Sequence, residues 1–560
     1  MKVQRSFIFT RSLIPLITLL YAIYFIARGL TNPEAHHDGL IFANAVASKD
    51  GLFPNRDFFA QYGPLSPTLN GWLLSLFGSH LYILRISNAV ILALIAGFIL
   101  YSISKYFNLR NAILISLIWV LSSGLNWIAL LPWPSVLLQL AILSSITLLI
   151  KNYREEIRKA KIAFFSSGFI LTTCILIRVQ AFIFIIFLAI LIFSERKKLQ
   201  KNIFQSFAAG TLLAFCSLTF WLFLNDSLYA YYRECIVWAN SKYGSPNFPL
   251  LSLIPIAYFP AITLAWMLWF QYVKRYLNYT GMKNFITVGA PPLIFLSVCF
   301  GISLTSSQTY ISFHNPDIFI RDIFRNFLFS PHYVVTTFSV SLFIFNFFRL
   351  AMTKTKIIPM QLEEKLSFFL VGTALMQLYP AWDSGHIWWV MPEMILGITL
   401  FCANYRRRHF HTFDRLYPTF IAFALILGAQ NIAVMSEPRT PYQNEILKFM
   451  TGPQVSVQNF KTNIDALNSI PISSSLYFDC TDAIFSVSNG TYSPKNLNMV
   501  NWSPRGLDDS RFAEYIFACN KKASDLQFLI GQGFRVIDMY PTINLPNKHN
   551  FLLKRTKLNE

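Results

Sequence analysis

Long apolar runs constrain the fold of this chain more than any other feature of its sequence. A run of about 20 apolar residues is long enough to cross the hydrocarbon core of a bilayer as a helix. Thirteen such runs are predicted, at roughly 12–28, 81–103, 111–127, 134–150, 162–177, 179–193, 203–224, 250–272, 285–304, 333–350, 366–381, 388–403 and 416–434. Only 13% of the 560 residues are charged, against about 25% in soluble domains. The sequence therefore predicts an all-α polytopic membrane protein.

The charges between these runs predict how the chain crosses the membrane. Lys and Arg concentrate in cytoplasmic loops. If the N-terminus is cytoplasmic, every predicted inside loop is short and basic, as in "KNYREEIRKAK", "SERKKLQKN" and "YRRRHFHTFDR". The same bias accounts for the net charge of +20, so no nucleic-acid partner is expected. We predict a multi-pass protein of the cytoplasmic (inner) membrane. A signal peptide over residues 1–30 is the alternative, but no convincing small-residue cleavage site follows it.

Two parts of the chain are distinguished by composition. Residues 1–434 form the predicted transmembrane module, whose first extracytoplasmic loop spans 29–80. Residues 435–560 are polar and contain strand-like runs such as "SSLYFDC" and "GFRVIDMY", which predict a small α/β domain outside the cytoplasm. Cys480 and Cys519 lie in this tail, and they are candidates for a disulfide if the compartment is oxidising. Spacing alone does not decide whether they pair.

The first extracytoplasmic loop is rich in polar and aromatic residues. It opens with "EAHHDGL" at 34–40, and "GLIFANAVASKDG" then has an apolar face at helical spacing. We expect a surface helix that ends at Gly51. The turn "YGPL" follows at 62–65, and "PTLNGWLLSLFG" after it predicts a second short amphipathic helix. Arg85 lies near the outer end of the next predicted span.

This pattern resembles the first loop of the GT-C superfamily of integral membrane glycosyltransferases. The likeness covers mainly residues 32–90 and is nearest to the branch with the protein O-mannosyltransferases and the lipid A aminoarabinose transferases. The resemblance implies a polyprenyl-phosphate sugar donor and a glycan, lipid or protein acceptor. It also places Asp38 at the acidic position that ends the first membrane helix. The family often has a second acid next, where this chain has Gly39, and Glu34 one turn earlier is an alternative.

Transfer of a sugar with inversion needs one base, which takes the proton of the acceptor hydroxyl. A carboxylate held near that hydroxyl is suitable, and we predict that Asp38 is this general base. A structural alternative is that Asp38 only caps the surface helix, since Asp is a favoured cap. The phosphate leaving group needs fixed cations rather than a general acid.

Several further residues are candidate substrate ligands on the same outer face. Arg85 and Arg178 are cations near predicted helix ends and would hold the donor phosphate, although both have snorkelling as the alternative. His37, next to Asp38, is a candidate to hydrogen-bond the acceptor, with mere solvation as the alternative. Tyr62 belongs to the "YGPL" turn that carries the resemblance and is a candidate substrate ligand for that reason. The sequence "YPAWDSGHIWWVMPE" supplies Asp383 and His386, whose aromatic neighbours are also typical of an interface belt. Within the same stretch, Glu393 is an acid inside a membrane run and therefore a functional candidate.

A divalent metal ion is an open alternative as cofactor. The candidate ligands are His36, His37, Asp383 and His386. None of their local spacings resembles an HExxH motif, so no cofactor is assigned.

Two rival functions remain. An O-antigen polymerase or ligase would carry its key Arg and His in a late outside loop, for which "FHNPDIFIRDIFRNF" is the candidate. A transporter or flippase would show charges in mid-helix and broken helices. Most of the charge here lies at helix ends, so we expect a glycosyltransferase whose prenyl donor lies among membrane helices and lipid.

Overall fold

The computed structural model describes most of the chain, with gaps. The described residues are 2–123, 130–152, 156–194, 202–238, 335–336, 339, 342–343, 362–377, 384–409, 417–471, 474–479, 483–488, 513–542 and 548–556. The predicted runs at 250–272 and 285–304 lie outside this part, and so do Asp383 and the segment proposed for a polymerase loop. The predicted number of thirteen spans therefore stays a prediction.

The membrane module is built from apolar helices. Its helices are α1 Lys2–Gly29, α2 His37–Lys49, α3 Leu65–Phe77, α4 Leu81–Ser104, α5 Leu109–Ser122, α6 Pro134–Asn152, α7 Ile157–Thr173, α8 Ala181–Ser194, α9 Ile203–Leu224, α10 Leu228–Tyr231, α11 Leu362–Gln377, α12 Ser384–His409 and α13 Tyr417–Ser436. Within the described ranges, four helical segments are long and apolar enough to cross a membrane, namely Leu81–Ser104, Pro134–Asn152, Ile157–Leu176 and Ile203–Leu224. Shorter apolar segments lie in α1, α5, α8 and α12. The chain is a multi-pass membrane protein.

The module has a buried interior and an apolar exterior. On α1, Phe25 is fully buried, whereas Leu20 and Ile23 are more than half exposed. Phe25 meets Trp119 of α5 edge to face, and Trp119 stacks on Trp388 of α12 with ring centroids 4.8 Å apart. An apolar face left open on a membrane helix is a lipid-facing surface, so α1 lies at the rim of the bundle.

The loop at 29–80 forms the two short helices that the sequence predicts. The surface helix is α2, and it begins at His37, two residues before the predicted start. Gly51 follows its end with a positive φ of 86°, as expected for a terminating glycine. The second helix is α3, which packs against α2. Unlike a helix lying exposed on a membrane, α2 buries residues on several sides, including Asp38, Phe42 and Ala45.

The tail is a mixed α/β unit in its described residues. The elements are β1 Thr440–Pro441, β2 Thr451–Gly452, α14 Gln454–Asn468, β3 Leu476–Asp479, α15 Ile484–Ser488, β4 Tyr515–Lys521, α16 Gln527–Gly531, β5 Phe534–Pro541 and β6 His549–Arg555. A four-stranded sheet has the order β3-β4-β6-β5, with β3 and β4 parallel and the other pairs antiparallel. Cys519 is disulfide-bonded, whereas its predicted partner Cys480 lies outside the described residues.

The tail docks directly on the loop at 29–80. Ile484 of α15 donates its backbone N–H to the carbonyl of Ala35 at 3.3 Å. A Cβ added to Gly39 would lie 2.2 Å from the backbone nitrogen of Ile484. Only glycine fits at such a distance. The close contact with the tail therefore excludes a side chain at position 39, where the family often has a second acid.

Candidate active site

Asp38 lies at the centre of the candidate site and is completely buried. Its Oδ1 accepts a hydrogen bond from Arg85 Nε at 2.8 Å, and its Oδ2 accepts a second one from Arg85 Nη2. The backbone N–H of Glu34 also donates to Oδ2, at 2.7 Å. The side chain of Arg85 is 1% exposed and that of Asp38 is 0% exposed. The two residues form a bidentate pair that no solvent reaches.

The charge state of Asp38 follows from its partner, Arg85. Burial raises the pKa of Asp38, and the charge and hydrogen bonds of Arg85 oppose that shift. Arg85 stays protonated in any protein environment, and a buried guanidinium needs a counter-charge. We therefore treat Asp38 and Arg85 as an ion pair that joins the start of α2 to the start of α4.

Glu34 and His37 form a second pair, one turn earlier. The Oε2 atom of Glu34 accepts hydrogen bonds from both the backbone N–H of His37 and its ring Nδ1, the latter at 2.9 Å. Burial would raise the pKa of Glu34, but its hydrogen bonds and electrostatic interaction with His37 outweigh burial, so the pKa lies below its usual value. The side chain of Glu34 is 11% exposed and that of His37 is 27% exposed. This pair is therefore nearer to solvent than Asp38.

Aromatic rings continue from His37 towards the membrane helices. The ring of His37 meets Trp133 edge to face at 5.0 Å, and Tyr62 meets the same indole at 5.1 Å. Trp389 of α12 stacks on Trp133 with a centroid distance of 5.9 Å and an interplanar angle of 9°. Trp133 is buried, and its Nε1 has no hydrogen-bond partner among the described residues. An unmet buried N–H is costly, so this donor is suited to a substrate oxygen.

Arg178 extends the cluster on the far side of Tyr62. Its guanidinium carbon lies 5.2 Å from the centroid of the Tyr62 ring. Its Nη1 donates to the hydroxyl of Ser135 at 2.8 Å, and the residue is 5% exposed. The neighbouring turn fixes Tyr62, because a Cβ at Gly63, which has a φ of 127°, would lie 2.4 Å from the carbonyl oxygen of Leu176. A positive charge is thus held at the C-terminal end of the 157–176 helical segment.

A small pocket opens beside these rings. Its walls combine aromatic rings, amide side chains and the hydroxyl-bearing side chains of Tyr62 and Ser66, which are groups suited to a sugar. The lining residues are Leu40, Ile41, Asn44, Phe59, Ala60, Gln61, Tyr62, Gly63, Ser66, Pro67, Asn70, Trp133 and Pro134. The pocket therefore lies between the two short helices of the first loop and the segment that leads into α6.

Glu393 lies in a separate polar network inside the membrane module. Its Oε2 accepts a hydrogen bond from Thr373 at 2.6 Å, and its Oε1 accepts one from Gln377 at 2.8 Å. Gln139 donates to Gln377 at 3.1 Å, so the network joins α6, α11 and α12. Because the carboxyl group is buried with both oxygens bonded, a structural role accounts for this acid.

The fold brings together most of the residues that the sequence singled out. Asp38 and Arg85 bond to each other, while His37, Tyr62 and Arg178 belong to one chain of contacts. His386 lies in α12, and nothing is described of its side chain. No group of three or more His, Cys, Asp or Glu side chains suited to a metal ion occurs within the described ranges. Of the proposed metal ligands, His36 and His37 contact each other edge to face at 4.5 Å.

Sequence reasoning missed two contributors. Glu34 was only an alternative acid, although its spacing of three from His37 is a spacing at which helical neighbours meet. Trp133 was not singled out, although "LPWPS" at 131–135 puts a tryptophan between two prolines in a predicted outer segment. Proline on both sides restricts the backbone and was a signal for a fixed aromatic residue.

Comparisons with known proteins give one kind of match. No family model and no curated protein sequence matches this chain. Among solved structures, it is similar to ArnT from Cupriavidus metallidurans bound to undecaprenyl phosphate, with a TM-score of 0.41, 12% identity and coverage of 98% of each chain. It is similar to the apo state of the same protein with a TM-score of 0.39 and 11% identity, covering 99% of this chain and 98% of that one. At such scores the two similarities carry no weight for function.

Proposed function

We propose that this protein is a membrane glycosyltransferase. It would move a hexosyl or pentosyl group from a polyprenyl-phosphate donor to a cell-envelope glycan, lipid or protein. The reaction would take place on the extracytoplasmic side of the cytoplasmic membrane, with inversion at the anomeric carbon. The proposal joins the GT-C resemblance of residues 32–90 to the chemistry of the cluster around them.

One observation carries the proposal. Proton-accepting groups, sugar-stacking rings and a cation are connected through direct contacts, from Glu34 and His37 through Trp133 to Tyr62 and Arg178. An acceptor hydroxyl, a sugar ring and a phosphate need these three kinds of groups side by side. The membrane helices provide an apolar boundary beside the cluster, as a prenyl chain requires.

The proposed reaction has one bond formed and one broken. The acceptor oxygen attacks the anomeric carbon, and the bond between that carbon and the phosphate oxygen breaks. The polyprenyl phosphate leaves with the bonding electron pair, and the acceptor proton passes to a base. Arg178 would neutralise the phosphate, while Tyr62 and Trp133 would hold the sugar.

The sequence assigns the base to Asp38, and the geometry sets a condition on that assignment. Both of its oxygens are held by Arg85, with Glu34 as a third donor. Asp38 could take a proton only after it separates from Arg85. An incoming donor phosphate is a group that could compete for that guanidinium, so Asp38 as base implies that Arg85 changes partner during turnover.

The identity of the donor can be tested on the purified protein. Lipids that co-purify with it would be extracted and identified by mass spectrometry. We expect a polyprenyl phosphate carrying one sugar, at a level that falls in Arg178→Met. If ordinary phospholipids alone are recovered, and added polyprenyl phosphate does not bind, the donor assignment is wrong.

The proposed topology has its own test. Single cysteines introduced at exposed positions of the tail, such as Lys461 and Asp465, would be treated with a membrane-impermeant maleimide on intact cells. We expect labelling from outside. Protection of both positions until the membrane is permeabilised would overturn an extracytoplasmic site.

A further inference from the structure

We infer that His37, oriented by Glu34, is the general base of the proposed transfer, and that Asp38 anchors the site. The inference rests on the proposed function and replaces the sequence-based choice of base. It follows from three features of the turn at 34–38: how the imidazole is held, what reaches it, and what the neighbouring carboxylate already binds.

The hydrogen bond to Glu34 fixes which ring nitrogen is basic. An ionised carboxylate only accepts hydrogen bonds. Nδ1 of His37 lies 2.9 Å from Oε2 of Glu34, so Nδ1 carries the hydrogen when the ring is neutral. Nε2 is then the nitrogen with the basic lone pair, and the backbone bond from His37 to the same oxygen holds the two residues in register. A carboxylate that orients an imidazole in this way is a recurrent arrangement for general bases.

The two candidate bases differ sharply in access. The side chain of His37 is 27% exposed, whereas that of Asp38 is 0% exposed. The ring of His37 packs on Trp133, which lines the sugar-suited pocket. His37 does not itself line the pocket, so an acceptor would have to extend past Trp133 to reach the imidazole. Reaching Asp38 would in addition require Arg85 to move away.

The carboxylate of Glu34 supports the proposed proton-transfer step. The lowered pKa of Glu34 keeps it ionised, so a protonated imidazole would form a charge-assisted hydrogen bond with it. In the balanced step, the acceptor proton passes to Nε2 of His37 while the oxygen bonds to the anomeric carbon and the phosphate leaves. The imidazolium later loses its proton to water, which restores the starting pair.

A purely structural role explains part of the geometry. Glu34 accepts the N–H of His37, and Asp38 accepts the N–H of Glu34, as in the reciprocal bonds of a helix cap. Such a cap requires the carboxylates and backbone of the turn, but it requires no imidazole at position 37. The test must therefore separate loss of the ring from loss of the fold.

The experiment is chemical rescue in reconstituted vesicles. The full-length wild type and His37→Ala are assayed for release of polyprenyl phosphate from the sugar-carrying donor, with and without added imidazole. We expect the kcat of His37→Ala to fall about 10²- to 10⁴-fold and to recover at least about tenfold with imidazole. The KM for the donor should stay within about threefold. The matched control is His80→Ala. His80 is another histidine on the proposed outer face, and its ring bonds the backbone oxygen of Glu445. This variant should keep the wild-type rate.

Two further variants keep the result decisive. His37→Gln retains a donor for Glu34 and should fold, yet it should be as inactive as His37→Ala. Glu34→Gln should lower kcat with little change in KM, since it affects orientation of the ring rather than donor binding. Turnover of His37→Gln within about tenfold of wild type would overturn the inference, and so would a folded His37→Ala that imidazole fails to rescue. Absence of turnover in the wild type would instead refute the proposed function.

Discussion

The pair formed by Asp38 and Arg85 gives the sharpest prediction for stability. Breaking a buried ion pair by removing one partner costs about 3–5 kcal/mol, because the other charge is left uncompensated. In Asp38→Asn, the buried guanidinium of Arg85 remains charged, so the full penalty is expected. In Arg85→Met, burial raises the pKa of Asp38, so the carboxyl group can be neutralised by a proton. That variant should lose less stability.

The double variant supplies the internal control. Asp38→Asn with Arg85→Met removes both charges and keeps an amide oxygen that can accept the N–H of Glu34, as Asp38 does. Its free energy of unfolding should lie within about 2 kcal/mol of wild type, since replacing a whole buried pair by neutral groups is often close to neutral. The single variant Asp38→Asn should therefore be the least stable of the three.

These differences can be measured by equilibrium unfolding in mixed micelles of a mild detergent and dodecyl sulfate. A loss below about 1 kcal/mol for Asp38→Asn would refute the description of a buried ion pair, and so would a double variant no more stable than the single one. The same proteins also test the base. If His37 takes the proton, the folded double variant should still turn over at saturating donor, with the loss of Arg85 raising the KM for the donor. Absence of turnover at every donor concentration would favour Asp38.

Three further predictions follow from single contacts. Gly39→Ala should loosen the docking of the tail, because the new Cβ would lie 2.2 Å from the backbone nitrogen of Ile484. Limited proteolysis should then cut the chain between residues 436 and 484 faster than in wild type. An unchanged cleavage rate would contradict this. Arg178→Met should raise the KM for the donor at least about tenfold and leave turnover at saturation less affected; the reverse pattern would argue against a phosphate ligand. Glu34 has a folded-state pKa below its usual value of about 4.3. Its ionised side chain should therefore stabilise the fold fully above that pH, and this contribution should be lost as the pH falls through the lowered pKa. The difference in unfolding free energy between wild type and Glu34→Gln should narrow on acidification, and a difference that widens would contradict this.

Patterns local in the sequence predicted much of the architecture. Apolar runs predicted the helices from α4 to α9, since a span in lipid must satisfy its own backbone hydrogen bonds. Periodicity predicted α2 and α3 of the first loop, because each needs one apolar face to pack. The strand-like runs of the tail coincide with β3 and β5.

Contacts between distant residues could not be predicted in the same way. The resemblance marked Arg85, but its bond to Asp38 joins residues 47 positions apart and depends on how α2 meets α4. Gly39 stood out only as a missing acid, since the cause of its small size is Ile484 in the tail. The environment of Trp133 depends on α12, because the ring that stacks on it belongs to Trp389, more than 250 residues later in the chain.

The most direct test of the account is the transfer reaction itself. Purified protein in vesicles would receive a polyprenyl phosphate bearing a labelled sugar of defined anomeric configuration, together with an envelope extract of the source cells as acceptor. We predict labelled acceptor whose new glycosidic bond has the inverted configuration, with polyprenyl phosphate released in equal amount. Release of free sugar alone, a product with retained configuration, or movement of intact donor across the bilayer without bond cleavage would contradict the account.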